Sequence, residues 1–184
     1  ILAIAKEFDV PAATVDAFRE VEAAGSGFFL EDAPPARPKI LFEAHHFGKH
    51  TGHKYDRDYP QISAKHWNRR LYVGGRGEYD RLKLAFGLDP KAALMSASWG
   101  LPQILGSNWK VAGAESIGDF VEQMFIGEAP QLRYMMNFLK NNGLLDAMRR
   151  HDWKLLARRY NGPSYKTNSY DTKLAAAART SRFA

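Results

Sequence analysis

The chain has 184 residues, 45% of them hydrophobic and 25% charged, with a formal net charge of +6 and no cysteine. That length suits one domain with a substantial core and is short for two. The missing cysteines exclude disulfides, thiolate catalysis and sulfur-ligated zinc, and no apolar run approaches the roughly 18 to 20 residues needed to span a bilayer.

In chain order, Ile1-Leu-Ala-Ile-Ala5 reads as the start of an already folded element. Residue 1 is not Met and no signal peptide is visible, so the expectation is a fragment of a longer protein. Pro11 to Glu22 reads as a helix stopped by Gly25 and Gly27. Stepping back from Glu22 by four and seven residues reaches Phe18 and Val15, which puts this carboxylate on the apolar face. Stepping back from Glu20 reaches Asp16 and Ala13, which marks Glu20 as solvated.

Residues 30 to 77 differ in texture, with Pro34, Pro35, Pro38 and Pro60 among short polar stretches around the apolar Ile40-Leu-Phe42. A small β element or extended lobe is expected here, closed by the flexible Gly74-Gly-Arg-Gly77. That glycine run is no phosphate loop, since no strand precedes it and no Lys-Ser or Lys-Thr ends it.

Asp89-Pro90 caps and opens a helix expected over Lys91 to Ala97. Ser116 with Asp119 caps Ile117 to Ile126. Pro130 opens Gln131 to Asn141, where Leu132, Met135, Met136 and Leu139 recur at helical spacing before Gly143. Asp152 caps Trp153 to Tyr160, and a last helix runs from about Asp171 to Arg179. The methionines read as core.

Three chemistries compete. Glu22 sits at a helix C-terminus on an apolar face, where lost hydration and the negative end of the dipole push a carboxyl pKa upward. That suits a general acid at neutral pH. Secondly, His45, His46, His50, His53 and His66 crowd the region of Glu43, and the spacing of His46 and His50 is that of a helical metal pair, as a His/Glu zinc amidase would use. Gly48 and Gly52 weaken such a helix and no His-Glu-x-x-His occurs, so no metal site and no cofactor are assigned. Thirdly, Trp67-Asn-Arg-Arg70 and Arg158-Arg-Tyr160 mix aromatic and basic groups as single-strand nucleic-acid binders do, without an accompanying recognition signature. Carbohydrate binding without catalysis would use the same aromatic residues.

Val21-Glu22 with Gly25 and Gly27-Phe28, the segment Arg37 to His45, Ser96-Ala-Ser-Trp-Gly-Leu-Pro-Gln-Ile104, Asn142-Gly-Leu-Leu145, His151-Asp-Trp153 and Tyr160-Asn-Gly-Pro163 occur in this order. Together they resemble the N-acetylmuramidase family of phage endolysins, within the lysozyme-like superfamily, over nearly the whole chain. The resemblance implies a mainly α fold, lysozyme-like, with a small β or extended lobe beside a helical lobe. It implies one catalytic domain over residues 1–184, possessed by a modular endolysin whose wall-binding domain would precede it.

The activity implied is hydrolysis of the β-1,4 bond between N-acetylmuramic acid and N-acetylglucosamine, with Glu22 as general acid. Glu43 is the candidate second carboxylate, with an alternative role anchoring His45 or an arginine. Ser98 and Gln103 are candidate sugar or water contacts, Tyr160 and Asn161 candidate cleft-floor residues, and His45 an orienting group. Lytic transglycosylation of the same bond is the alternative outcome. The partner implied is bacterial peptidoglycan, met by a monomer without nucleic acid or stable membrane insertion. A phage-encoded enzyme of this kind is made in the host cytoplasm and acts on the host wall from the periplasm. Two departures from the family pattern stand out: Ala23-Ala24 follow the glutamate where Ser-Gly is usual, and Pro102 fills the variable place before Gln103.

Overall fold

A computed structural model describes residues 1–23, 26–31 and 35–184. Two buried clusters organise it. The first joins α1 (Leu2–Phe8), α2 (Ala12–Ala23), α7 (Glu128–Asn141), α8 (Leu145–Arg149), α9 (Trp153–Tyr160) and α10 (Tyr170–Thr180), with Val15, Phe18, Met135, Leu139, Met148 and Leu174 wholly buried. The second gathers β1 (Ile40–Phe42), α3 (Ala44–His50), α4 (Gly77–Leu88), α5 (Pro90–Met95), β2 (Ala97–Trp99), β3 (Ile104–Leu105) and α6 (Ile117–Ile126) around Phe42, Phe47, Trp99 and Phe120. The predominance of helix with a small antiparallel sheet matches the architecture the sequence implies.

Several helix boundaries follow from local chemistry. Asp89 accepts from the Ala92 amide, Ser116 from that of Asp119 and Asp152 from that of Leu155, each satisfying a first-turn donor. α7 begins at Glu128, three residues ahead of the expected start, because Pro130 fits within the first turn, where its missing N–H is no loss.

The sheet reaches beyond the sequence-based lobe. Among the described residues β1 is the strand that residues 30 to 77 supply; its partners come from the segment after α5, in the order β1-β2-β3, both pairs antiparallel. The helix expected to reach Ala97 ends at Met95, because the Ser96 hydroxyl bonds back to the Ala92 carbonyl at 2.6 Å and Ala97 pairs with Phe42. Gly100 at φ +65° and Gln103 at φ +47° then turn the chain into β3. Sequence reading missed α4 as well.

α3 forms despite Gly48, contrary to expectation. A Cβ at Gly48 would meet the Ala64 carbonyl oxygen at 2.6 Å, so the glycine permits helix and loop to touch. Glu20 is exposed as expected, while Asp16 on the same helix is buried, because α2 packs on α10 and the Ser181 hydroxyl donates to Asp16 at 2.7 Å. Gly25, expected to stop α2, lies outside the described residues.

Candidate active site

Glu22 is the penultimate residue of α2, a helix whose Val15 and Phe18 are wholly buried. The residue is half-buried overall, but its Oε1 is out of solvent contact and has no hydrogen-bond partner among the described residues. Burial raises its pKa from the ordinary 4.5 to about 8. A carboxyl group in this state is protonated at neutral pH and has a proton to donate.

Glu22 opens onto a cavity of about 380 Å³ whose lining also includes Ser26, Phe29, Lys39, Leu41, Gly75 and Gln103. The helical cluster supplies the acid, and the sheet cluster supplies the opposite wall. Along β1, Ile40 and Phe42 are buried while Leu41 is not, so Leu41 and its period-two neighbours Lys39 and Glu43 share the open face of the strand. Ser98 pairs with Leu41 and with Leu105, placing it on that same face.

Glu43 precedes α3 and accepts a hydrogen bond from the Tyr72 hydroxyl, while His45 Nδ1 lies 3.4 Å from the same carboxylate oxygen. Its backbone N–H is tied to the Ser96 carbonyl at 2.8 Å. Gln103 lines the cavity, yet its side-chain amide donates to the Gly100 carbonyl at 2.8 Å and thereby braces its own turn. Tyr160 lies behind the acid: its ring meets Phe18 edge-on at 5.4 Å, its hydroxyl donates to the Pro102 carbonyl at 2.9 Å, and its phenol pKa is raised first by burial and then by the Glu22 charge. Asn161 is exposed at the end of α9 and does not line the cavity.

Three of the histidines bring their rings together along α3, with 4.4 Å between the centroids of His45 and His46, which are tilted, and 6.2 Å between those of His46 and His50, which stack. Burial, helped by neighbouring positive charge, lowers the His46 pKa to about 4. Among the described residues no three His, Asp or Glu side chains group as a metal site would require.

Several supporting residues escaped sequence reading. Glu78 and Arg81 form a buried ion pair at 2.6 Å on α4. Glu78 also accepts from the amides of Phe42, Val73 and Gly74, and Arg81 donates to the Phe42 and Gln61 carbonyls. One charged pair therefore ties β1 to the loop that reaches Gly75 at the cavity. On the other side, Gln131 is wholly buried, accepts from Leu101 N at 2.7 Å and donates to the Met124 carbonyl at 2.7 Å. Glu128 accepts from the Ser26 hydroxyl and from Gly27 N, fixing the segment beyond α2. The i, i+3 spacing of Glu78 and Arg81 was the one signal available in sequence; a tertiary partner for Gln131 had none.

A predominantly helical chain with a small three-stranded antiparallel sheet beside a cleft has the architecture of the lysozyme-like glycoside hydrolases. The N-acetylmuramidase family model matches residues 11–182, and the chain belongs to that family. The crystal structure of the Burkholderia AP3 phage endolysin superposes with a TM-score of 0.86 at 34% sequence identity, over 99% of this chain and 68% of that one. No curated protein sequence matches significantly. The chain is thus a muramidase-type enzyme in the class of peptidoglycan hydrolases.

Proposed function

We propose that residues 1–184 act as one endolysin-type catalytic domain that hydrolyses the β-1,4 bond between N-acetylmuramic acid and N-acetylglucosamine, with Glu22 as general acid. The observation that carries this is the Glu22 carboxyl: unpartnered at Oε1, facing a cleft, and raised by burial to a pKa of about 8. A glycan laid in the cleft would offer its glycosidic oxygen to that proton as the bond breaks and positive charge develops on the sugar ring. Phe29 and Leu41 supply apolar wall for the sugar faces, and Ser98 and Gln103 supply polar groups along the sheet side.

Glu43 takes the supporting role in this proposal. Its Tyr72 and His45 contacts hold the carboxylate against its own lobe, which suits an anchor of the sheet side of the cleft better than a free base. Water would then attack without full proton transfer to a second carboxylate. Such an enzyme, met with the bacterial wall by way of a phage, would act in the periplasm after synthesis in the host cytoplasm.

Digestion of purified peptidoglycan followed by mass spectrometry tests the reaction. Reducing muramic acid ends are expected from the wild type and none above background from Glu22→Gln, which keeps the size of the side chain and loses the proton. Anhydro ends would mean transglycosylation instead, and cleaved peptide stems would sink the glycosidase reading.

A further inference from the structure

Lys39 is the least explained charge in the cleft. Its backbone is held on both sides, with its N–H donating to the Gly27 carbonyl at 2.7 Å and its carbonyl accepting from Gly100 N at 2.8 Å. The side chain shares the open face of β1 with Leu41 and lines the cavity that contains Glu22. It is half-buried, and among the described residues its ammonium makes no hydrogen bond or ion pair.

A lysine that lines a ligand cleft ordinarily finds a carboxylate or carbonyl for its ammonium. Among the described residues Lys39 has none. Nor does it serve the acid, because burial alone accounts for the raised Glu22 pKa. A lysine whose backbone is held on both sides, which lines a ligand cleft and which has no counter-charge among the described residues, is placed to meet a negative group that arrives with the ligand.

We infer that Lys39 forms a carboxylate subsite, through which the enzyme recognises an acidic substituent of the glycan strand as well as its sugar rings. The inference rests on the peptidoglycan reading above and names what that site selects. Two parts of such a polymer carry the required chemistry: the lactyl ether of the muramic acid, when its carboxyl is free, and the acidic residues of an attached peptide stem. A neutral polymer of N-acetylglucosamine offers neither.

The test uses soluble glycan strands in two forms, with peptide stems intact and with stems removed to leave lactyl carboxylates, each compared with a portion neutralised by carbodiimide coupling to methylamine. Release of reducing ends gives KM and kcat for the wild type, Lys39→Met and Lys39→Gln, with thermal denaturation confirming that each variant is folded. Neutralisation should raise the wild-type KM about tenfold, the order expected for losing one charge-assisted contact. In the folded variants the ratio of KM between neutralised and native strands should fall to about one. The strand form that shows this collapse identifies the carboxylate. A wild-type ratio near one on both forms, or variants that retain the wild-type ratio, would overturn the inference. Failure of the glycosidase reading itself would look different: no reducing ends from any strand, or undiminished release by Glu22→Gln.

Discussion

Tyr72 donates its hydroxyl to the Glu43 carboxylate, joining the end of β1 to a loop 29 residues further along the chain. The contact recruits further layers: the Arg81 guanidinium lies 6.0 Å from the Tyr72 ring centroid, and the Trp67 and Tyr72 ring centroids are 6.4 Å apart. Glu43 is therefore braced through a partner that is itself packed, which favours the supporting role proposed for it.

Replacing either partner should consequently cost stability and activity together. Tyr72→Phe and Glu43→Gln are each expected to lower stability by about 1.5 to 3 kcal/mol, the range for a hydrogen bond to a charged group, and to reduce turnover by about tenfold or less. Thermal denaturation and initial rates on the same preparations check this. A Glu43→Gln variant with wild-type stability and no turnover would instead make Glu43 the residue that activates water.

Glu22 predicts the pH dependence of both rate and stability. In the proposed mechanism activity needs the protonated Glu22, so kcat/KM should fall as pH rises through about 8. For stability the folded pKa lies above the unfolded one, so between 4.5 and 8 the native state holds a proton that the unfolded chain has released. Stability from this group is full below the lower value and is lost as pH rises toward the upper one, by at most about 1.4 kcal/mol per pH unit. Glu22→Gln should remove that slope, so that denaturation midpoints of variant and wild type separate in the variant's favour as pH rises from 5 to 8. Parallel midpoints across that range would show that the carboxyl is not desolvated.

How much of this was legible in sequence depended on the range of the interaction. Val15, Phe18 and Glu22 declared their common face because helical spacing is local, and Asp89, Ser116 and Asp152 declared their caps for the same reason. The sheet did not. β1 and β2 are three residues each, too short for alternation to stand out, and their pairing brings Leu41 to Ser98 across three helices. The burial of Asp16 had no local signal, because a periodicity argument sees one buried face whereas α2 is covered by α10 on another. Lys39, Tyr72 and Gln131 acquire their meaning only from that long-range assembly.

Gly100 sits where two such constraints meet. Its φ is +65°, a region L-residues seldom adopt, and a Cβ there would approach the Gln131 side-chain carbon to 2.7 Å. Gln131 cannot retreat cheaply, since it satisfies both Leu101 N and the Met124 carbonyl in the core. Gly100→Ala is expected to destabilise the protein by about 2 to 4 kcal/mol, combining backbone strain with a loosened buried amide. Because the same turn carries Gln103 into the cleft, activity should fall even at temperatures where the variant remains folded. Unchanged melting and unchanged KM would show that the turn relaxes without effect on the site.

The buried pair of Glu78 and Arg81 offers the sharpest separation of support from chemistry. Neither residue lines the cavity, yet Glu78 gathers Phe42 N from β1 and Val73 N and Gly74 N from the loop beside Gly75, while Arg81 holds the Phe42 and Gln61 carbonyls. Glu78→Gln keeps the shape but leaves the guanidinium without its counter-charge in a site where both side chains are at most 7% exposed. Removing one partner of a buried pair costs about 3 to 5 kcal/mol, which for a chain of this length corresponds to a fall in melting temperature of about 6 to 20 °C. Turnover at low temperature should decline much less than in Glu22→Gln, and its upper pH limb should keep the same midpoint, since nothing about the acid has changed. Paired melting curves and pH–rate profiles make the comparison. A stable variant with a displaced pH limb would mean that the pair acts on Glu22 electrostatically rather than by holding the sheet and the loop together.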